Sequence, residues 1–203
     1  MLLKSIFTRA LLALAVAGAA APAVAGPLYH VAIDTRSLSG DAYLDLTFTA
    51  LSGAAPATAS VSNFVGVVGA DRLTQGMVGG VLGSTVTFGN QQTFNELLQQ
   101  ISLGSILSFD LAFSESKTGA IGTDFGVALV SAALDDYLAG TSGSFIVIGL
   151  LPGKPDTVSV SLPFATVTAI AAVPEPAGAA LFVGGLLLMG IVSRRRASAE
   201  ALG

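Results

Sequence analysis

Between residues 28 and 170 the dominant pattern is alternation of apolar and polar side chains with a period of two. Leu44, Leu46 and Phe48 alternate with Tyr43, Asp45, Thr47 and Thr49. Leu107, Phe109, Leu111 and Phe113 alternate with Ser108, Asp110 and Ala112, and Phe125, Val127 and Leu129 repeat the pattern. A strand places successive side chains on opposite faces, so each run predicts a strand with one face in a core. Val158, Val160, Leu162 and Phe164 continue in this way, and the parity then shifts at Val167 and Ala169. A bulge or a change of sheet near Pro163 would explain the shift. Further short strands are expected near 28–34, 57–65, 84–88 and 144–150, with Gly or Pro between them.

One segment departs from this period. Phe94, Leu97, Leu98 and Ile101 fall at i, i+3, i+4 and i+7, and Thr93-x-x-Glu96 has the spacing of a capping box. A short helix is expected there. The fold class expected is mainly β: an antiparallel β-sandwich, jelly-roll-like, with one short helix.

The two ends follow other patterns. Lys4 and Arg9 precede the apolar run Ala10–Gly18, and Ala23-Val24-Ala25 supplies the small residues of a signal-peptidase site before Gly26. Residues 1–25 therefore read as a signal peptide, 26–172 as the passenger domain and 173–203 as a C-terminal signal. In that signal Pro174-Glu175-Pro176 precedes a charge-free run, 177–192, and then Arg194-Arg195-Arg196. As a helix the run is about 24 Å long at 1.5 Å per residue, short for a bilayer core of about 30 Å. Snorkelling arginines and local thinning close that gap, and the arginines hold their end in the cytoplasm.

The ordered triple resembles the PEP-CTERM sorting signal of Gram-negative bacteria. The resemblance implies a chain handed to signal peptidase and the secretion machinery, anchored transiently in the inner membrane, and processed by an exosortase. It also implies a final place at the cell surface or outside, in a biofilm with exopolysaccharide as partner. The stretches 29–34, 42–48 and 59–64 resemble a passenger family of such proteins with no assigned activity.

Composition narrows the chemistry. The chain has no Cys, no Trp and one His, so thiolate catalysis, disulfides and paired-histidine metal sites are excluded. Residues 26–172 hold 11 acidic and 4 basic side chains, a net charge of −7. Without clustered Lys and Arg, nucleic acid is not an expected partner. No cofactor, metal or catalytic residue is expected, and the chain does not read as an enzyme.

His30 is expected on the solvated face of its strand, and no G-x-S-x-G elbow accompanies it. Asp110 and Glu115 are the carboxyl pair a secreted hydrolase would use. Asp34, Asp41, Asp45 and Asp135-Asp136 read as solvated turn aspartates rather than calcium ligands. Asp124-Phe125-Gly126 falls in a strand pattern, and Gly76–Gly83 lacks the Lys-Ser/Thr of a phosphate loop. Tyr29, Tyr43 and Tyr137 would be the aromatic platform of a carbohydrate-binding module, the alternative to a structural or adhesive matrix protein.

Overall fold

Alternation in Asp41–Ala50 places Leu44, Leu46 and Phe48 fully inside and turns Thr47 and Thr49 outward, as the sequence implies. The computed structural model describes residues 27–170. The signal-peptide residues Ala23, Ala25 and Gly26, the motif Pro174, Glu175 and Pro176, the run 177–192 and Arg194, Arg195 and Arg196 lie outside the described residues.

The described residues form β1 (Leu28–Asp34), β2 (Asp41–Ala50), β3 (Ala57–Val65), β4 (Val67–Gln75), β5 (Val78–Gly80) and β6 (Val86–Gly89). They continue with β7 (Phe94–Ser102), β8 (Ile106–Glu115), β9 (Thr123–Ser131), β10 (Ile146–Leu150), β11 (Thr157–Val160) and β12 (Ala165–Ile170). A first antiparallel sheet has the order β12-β1-β8-β3-β6-β5, and a second has β11-β10-β9-β2-β7-β4. Their inner faces share one hydrophobic core, the arrangement of a β-sandwich. Near Pro163 the chain does change sheet, from β11 in the second to β12 in the first.

Phenylalanines are the largest fully buried side chains of the core. The Phe125 ring lies 5.7 Å from Phe88, 5.9 Å from Phe113 and 6.2 Å from Phe48, measured between centroids. Edge-on and tilted packing suits the ring quadrupoles. Each fully buried ring contributes about 1.5–3 kcal/mol through area removed from water.

The helix expected over 93–101 is a strand, β7, and this corrects the sequence reading. Asn95, Leu97, Gln99 and Ile101 face the core, while Phe94 is exposed and Leu98 half-buried on the other face. Two buried amides at alternate positions hide the period of two from a hydrophobicity pattern. Both amides have backbone partners. Asn95 Nδ2 donates to the Phe48 carbonyl at 2.8 Å, and Asn95 Oδ1 accepts from the Met77 N–H at 2.8 Å. Gln99 Nε2 donates to the carbonyls of Gly69 (3.0 Å) and Asp71 (3.1 Å). Those carbonyls sit where the β4–β7 register shifts, between Val68 and Arg72, so Gln99 repairs a gap in the ladder. The capping box does not form: the Thr93 carbonyl accepts from the Ala50 N–H at 3.0 Å. Among the described residues the one helical element is the single 3-10 turn Leu138–Gly140. No helix among them is long and apolar enough to cross a membrane.

Candidate binding face on the second sheet

Cross-strand register lays out the outer face of the second sheet in rows. One row runs Leu73 (β4), Leu98 (β7), Asp45 (β2) and Ala128 (β9). Beside it run Gln75, Glu96, Thr47 and Gly126, so Glu96 sits diagonally from Asp45. On the other side lie Gln100, Tyr43 and Val130. At the far end Phe94, Thr49, Asp124, Gly149 and Thr157 form a row across five strands.

The connection after β9 folds back over this face. Tyr137 bridges Val130, the Ser131 N–H donates to the Asp136 carbonyl at 2.8 Å, and Ser131 Oγ donates to Asp135 Oδ1 at 2.7 Å. Leu134 takes a left-handed backbone (φ 60°) at the tip, a conformation that costs a non-glycine residue about 1 kcal/mol or more. The result is a cavity of about 270 Å³ walled by Leu98, Val130, Leu134 and Tyr137 and by four carboxyl groups, Asp45, Glu96, Asp135 and Asp136.

Asp45 lies at the bottom of that cavity. Only 5% of it is exposed, and its Oδ1 has no hydrogen-bond partner. Among the described residues just one other buried side-chain atom shares that condition, Arg72 Nε. Arg72 is registered with the inward-facing Gln99, not with the row of Asp45. Burial, and next the nearby Glu96 carboxylate, push Asp45 up to about 7. Burial also raises Glu96. The expectation that Asp45 is a solvated turn aspartate is thereby corrected: it is mid-strand and roofed by the loop.

A second, larger hollow of about 710 Å³ occupies the far row, lined by Thr49, Phe94, Asp124, Lys154 and Thr157 among others. That volume falls within the range of small-molecule sites.

The other residues singled out by sequence are dispersed. His30 is outward and exposed, as expected, and its Nδ1 lies 2.8 Å from Asp110 Oδ1, the residue it faces across β1 and β8. Asn63 (φ 53°) sits in the β3 irregularity and donates to Asp110 Oδ2 at 2.8 Å. Asn63, and next His30, hold Asp110 below the usual carboxylate range. Glu115 is five positions along β8 from Asp110, about 17 Å of strand. The odd spacing puts it on the opposite face, so the structure does not bring the hydrolase pair together. Glu115 is raised by burial and by Asp156, and Asp156 in turn accepts from the Tyr29 hydroxyl at 2.7 Å.

The three tyrosines do not form one platform. Tyr29 is in the core, while Tyr43 and Tyr137 flank Val130 on the outer face of the other sheet. Asp34 is held by Arg36 through Nε (2.9 Å) and Nη2 (2.6 Å), and Asp41 accepts from Ser102 Oγ at 3.0 Å. Among the described residues no three His, Asp or Glu side chains are grouped to hold a metal ion. Asp124-Phe125-Gly126 is inside β9, and Gly76–Gly83 contributes the short strand β5.

The Asp45–Glu96 pairing was missed because the two are 51 positions apart and the loop that buries them has no alternation of its own. Its only trace in the sequence is a carboxylate in the outward phase of a very apolar strand. No protein-family model, no curated protein and no solved structure matches this chain.

Proposed function

We propose that the chain is an exported protein, sorted by its C-terminal signal and processed by an exosortase, with a structural or adhesive role in an extracellular polysaccharide matrix. The observation that carries this reading is the order Pro174-Glu175-Pro176, apolar run 177–192, Arg194–Arg196. The two prolines discourage a helix from extending upstream and leave an extended peptide at the membrane surface. The described fold is compatible with cutting there: its last strand ends at Ile170, four positions before Pro174, and the core of the described residues spans Tyr29 to Ala165. A jelly-roll-like path for the passenger draws support from the β1-β8-β3-β6 and β2-β7-β4 neighbours in the two sheets.

Mass spectrometry of protein released from cells tests the reading. The expected product lacks residues 1–25 and the segment after about Glu175. Recovery of the full-length chain from the inner membrane alone, with or without exosortase, refutes it.

The groove along Phe94, Thr49, Asp124, Gly149 and Thr157 favours a second reading, a carbohydrate-binding module. It offers one exposed aromatic ring beside hydroxyl, carboxylate and ammonium groups. A glycan array probed with the released protein separates the two: silence across matrix sugars counts against glycan binding.

A further inference from the structure

Asp45 is in a position that a fold seldom tolerates for structural reasons alone. Its carboxyl is buried, its Oδ1 lacks a donor, and it sits in the second sheet beside another carboxyl. A buried carboxylate left unpaired is costly, and a cation placed against it removes most of that cost.

The cavity above Asp45 says which kind of cation. Its carboxyl groups come from three elements: Asp45 from β2, Glu96 from β7, and Asp135 and Asp136 from the loop after β9. No Lys, Arg or His lines it. Charges of one sign between low-dielectric walls focus the field on anything that enters. Calcium is the poorer fit, since it takes six to eight oxygens. Among the described residues no three carboxylates converge, and Asp135 Oδ1 already accepts from Ser131 Oγ. The remaining wall is apolar: Leu98, Val130 and Leu134, with the Tyr137 ring. Such a wall suits methylene groups, and about 270 Å³ suits a short stem.

We propose that the Asp45 cavity binds a primary alkylammonium group, with the cation against the Asp45 and Glu96 carboxyls and its methylene stem along Leu98, Val130 and Leu134. A free amine and a lysine side chain share this chemistry. The site is independent of the sorting reading, since it lies wholly within the folded domain.

Protonation of Asp45 opposes the cation, so binding depends on pH. The groups facing Asp45 that also titrate are Glu96 on β7 and Asp135, Asp136 and Tyr137 on the loop; β9 presents only Ala128 and Val130, and β4 presents Leu73 in its row.

Isothermal titration calorimetry of the full-length chain with n-butylamine at pH 8 is the test. We expect saturable one-to-one binding, at least tenfold weaker in Asp45→Asn, several-fold weaker in Glu96→Gln, and at least tenfold weaker for the native chain at pH 5. Nα-acetyl-lysine methylamide binding as tightly as n-butylamine assigns the site to a polypeptide side chain; n-butylamine binding alone assigns it to a free amine. No saturable binding at pH 8, equal binding by Asp45→Asn, or calcium displacing n-butylamine at equal concentration overturns the proposal. If Asp45→Asn does not fold, the Asp45 carboxyl is followed by carbon-13 NMR in the native chain. The amine must then move its titration midpoint to lower pH, and an unmoved midpoint overturns the proposal equally.

Discussion

Asp45→Asn keeps the shape of the side chain and removes its ability to ionise, so the amine-free protein reports how much the buried charge costs. In the unfolded chain the carboxyl titrates near 3.8, and in the fold it is pushed up to about 7. Below about pH 4 both states are protonated and the native chain suffers no penalty. As pH rises from about 4 to about 7 the unfolded carboxyl ionises while the folded one still holds its proton, and this part of the stability is lost, completely so once pH has passed the folded value. A difference of about 3 pK units at 1.36 kcal/mol each sets a ceiling of about 4 kcal/mol. Loop relaxation and water entry reduce this, and about 2–4 kcal/mol is the expected range. Urea unfolding of both proteins at fixed ionic strength from pH 4 to 9 measures it. The advantage of Asp45→Asn should grow with pH, most steeply between about 4.5 and 6.5, and level off above about 7.5. A difference that stays flat across that range means Asp45 is solvated or paired when folded, and the account of the cavity fails with it.

Four further outcomes are expected. Phe125→Ala, at the meeting point of three other rings, costs about 3–5 kcal/mol by denaturant unfolding. Asn90→Ala costs about 2–3 kcal/mol, because Asn90 accepts from the Ala57 N–H at 2.9 Å and donates to the Ala55 carbonyl and Thr123 Oγ1 at 2.7 Å each. Thr93→Ala changes stability by less than about 0.5 kcal/mol, whereas loss of a helix cap would cost about 1 kcal/mol. Asp110, held down by Asn63 and His30, adds stability above the normal carboxylate range and loses it as pH falls through its own lowered midpoint. Carbon-13 titration should show that midpoint rising in Asn63→Ala.

Where one face of a strand meets the core and the other meets solvent, alternation alone located it. Leu28–Asp34 and Ala57–Val65 coincide with the stretches expected, and β2, β8 and β9 enclose the runs read from Leu44, Leu107 and Phe125. The reading failed where a strand departs from that condition. In β4 no residue is buried, so nothing marks a period. In β7 the inward positions Asn95 and Gln99 are amides whose partners lie on other strands, at the Phe48, Gly69 and Asp71 carbonyls. Locally such residues look like the polar side of a helix, and only the irregular neighbour β4 gives them a reason to be inside. The same logic hid the cavity. Asp45 follows the outward phase correctly, and pattern alone equates outward with wet. What dries it is the return of Leu134 to Tyr137 across the sheet, fixed by one bridge at Val130 and the hydrogen bonds of Ser131. A short loop of that kind reverses the solvation of a strand residue without changing its phase. The charged residue to examine in such a domain is therefore the one on the outer face beneath a returning loop, where register, burial and missing partners agree.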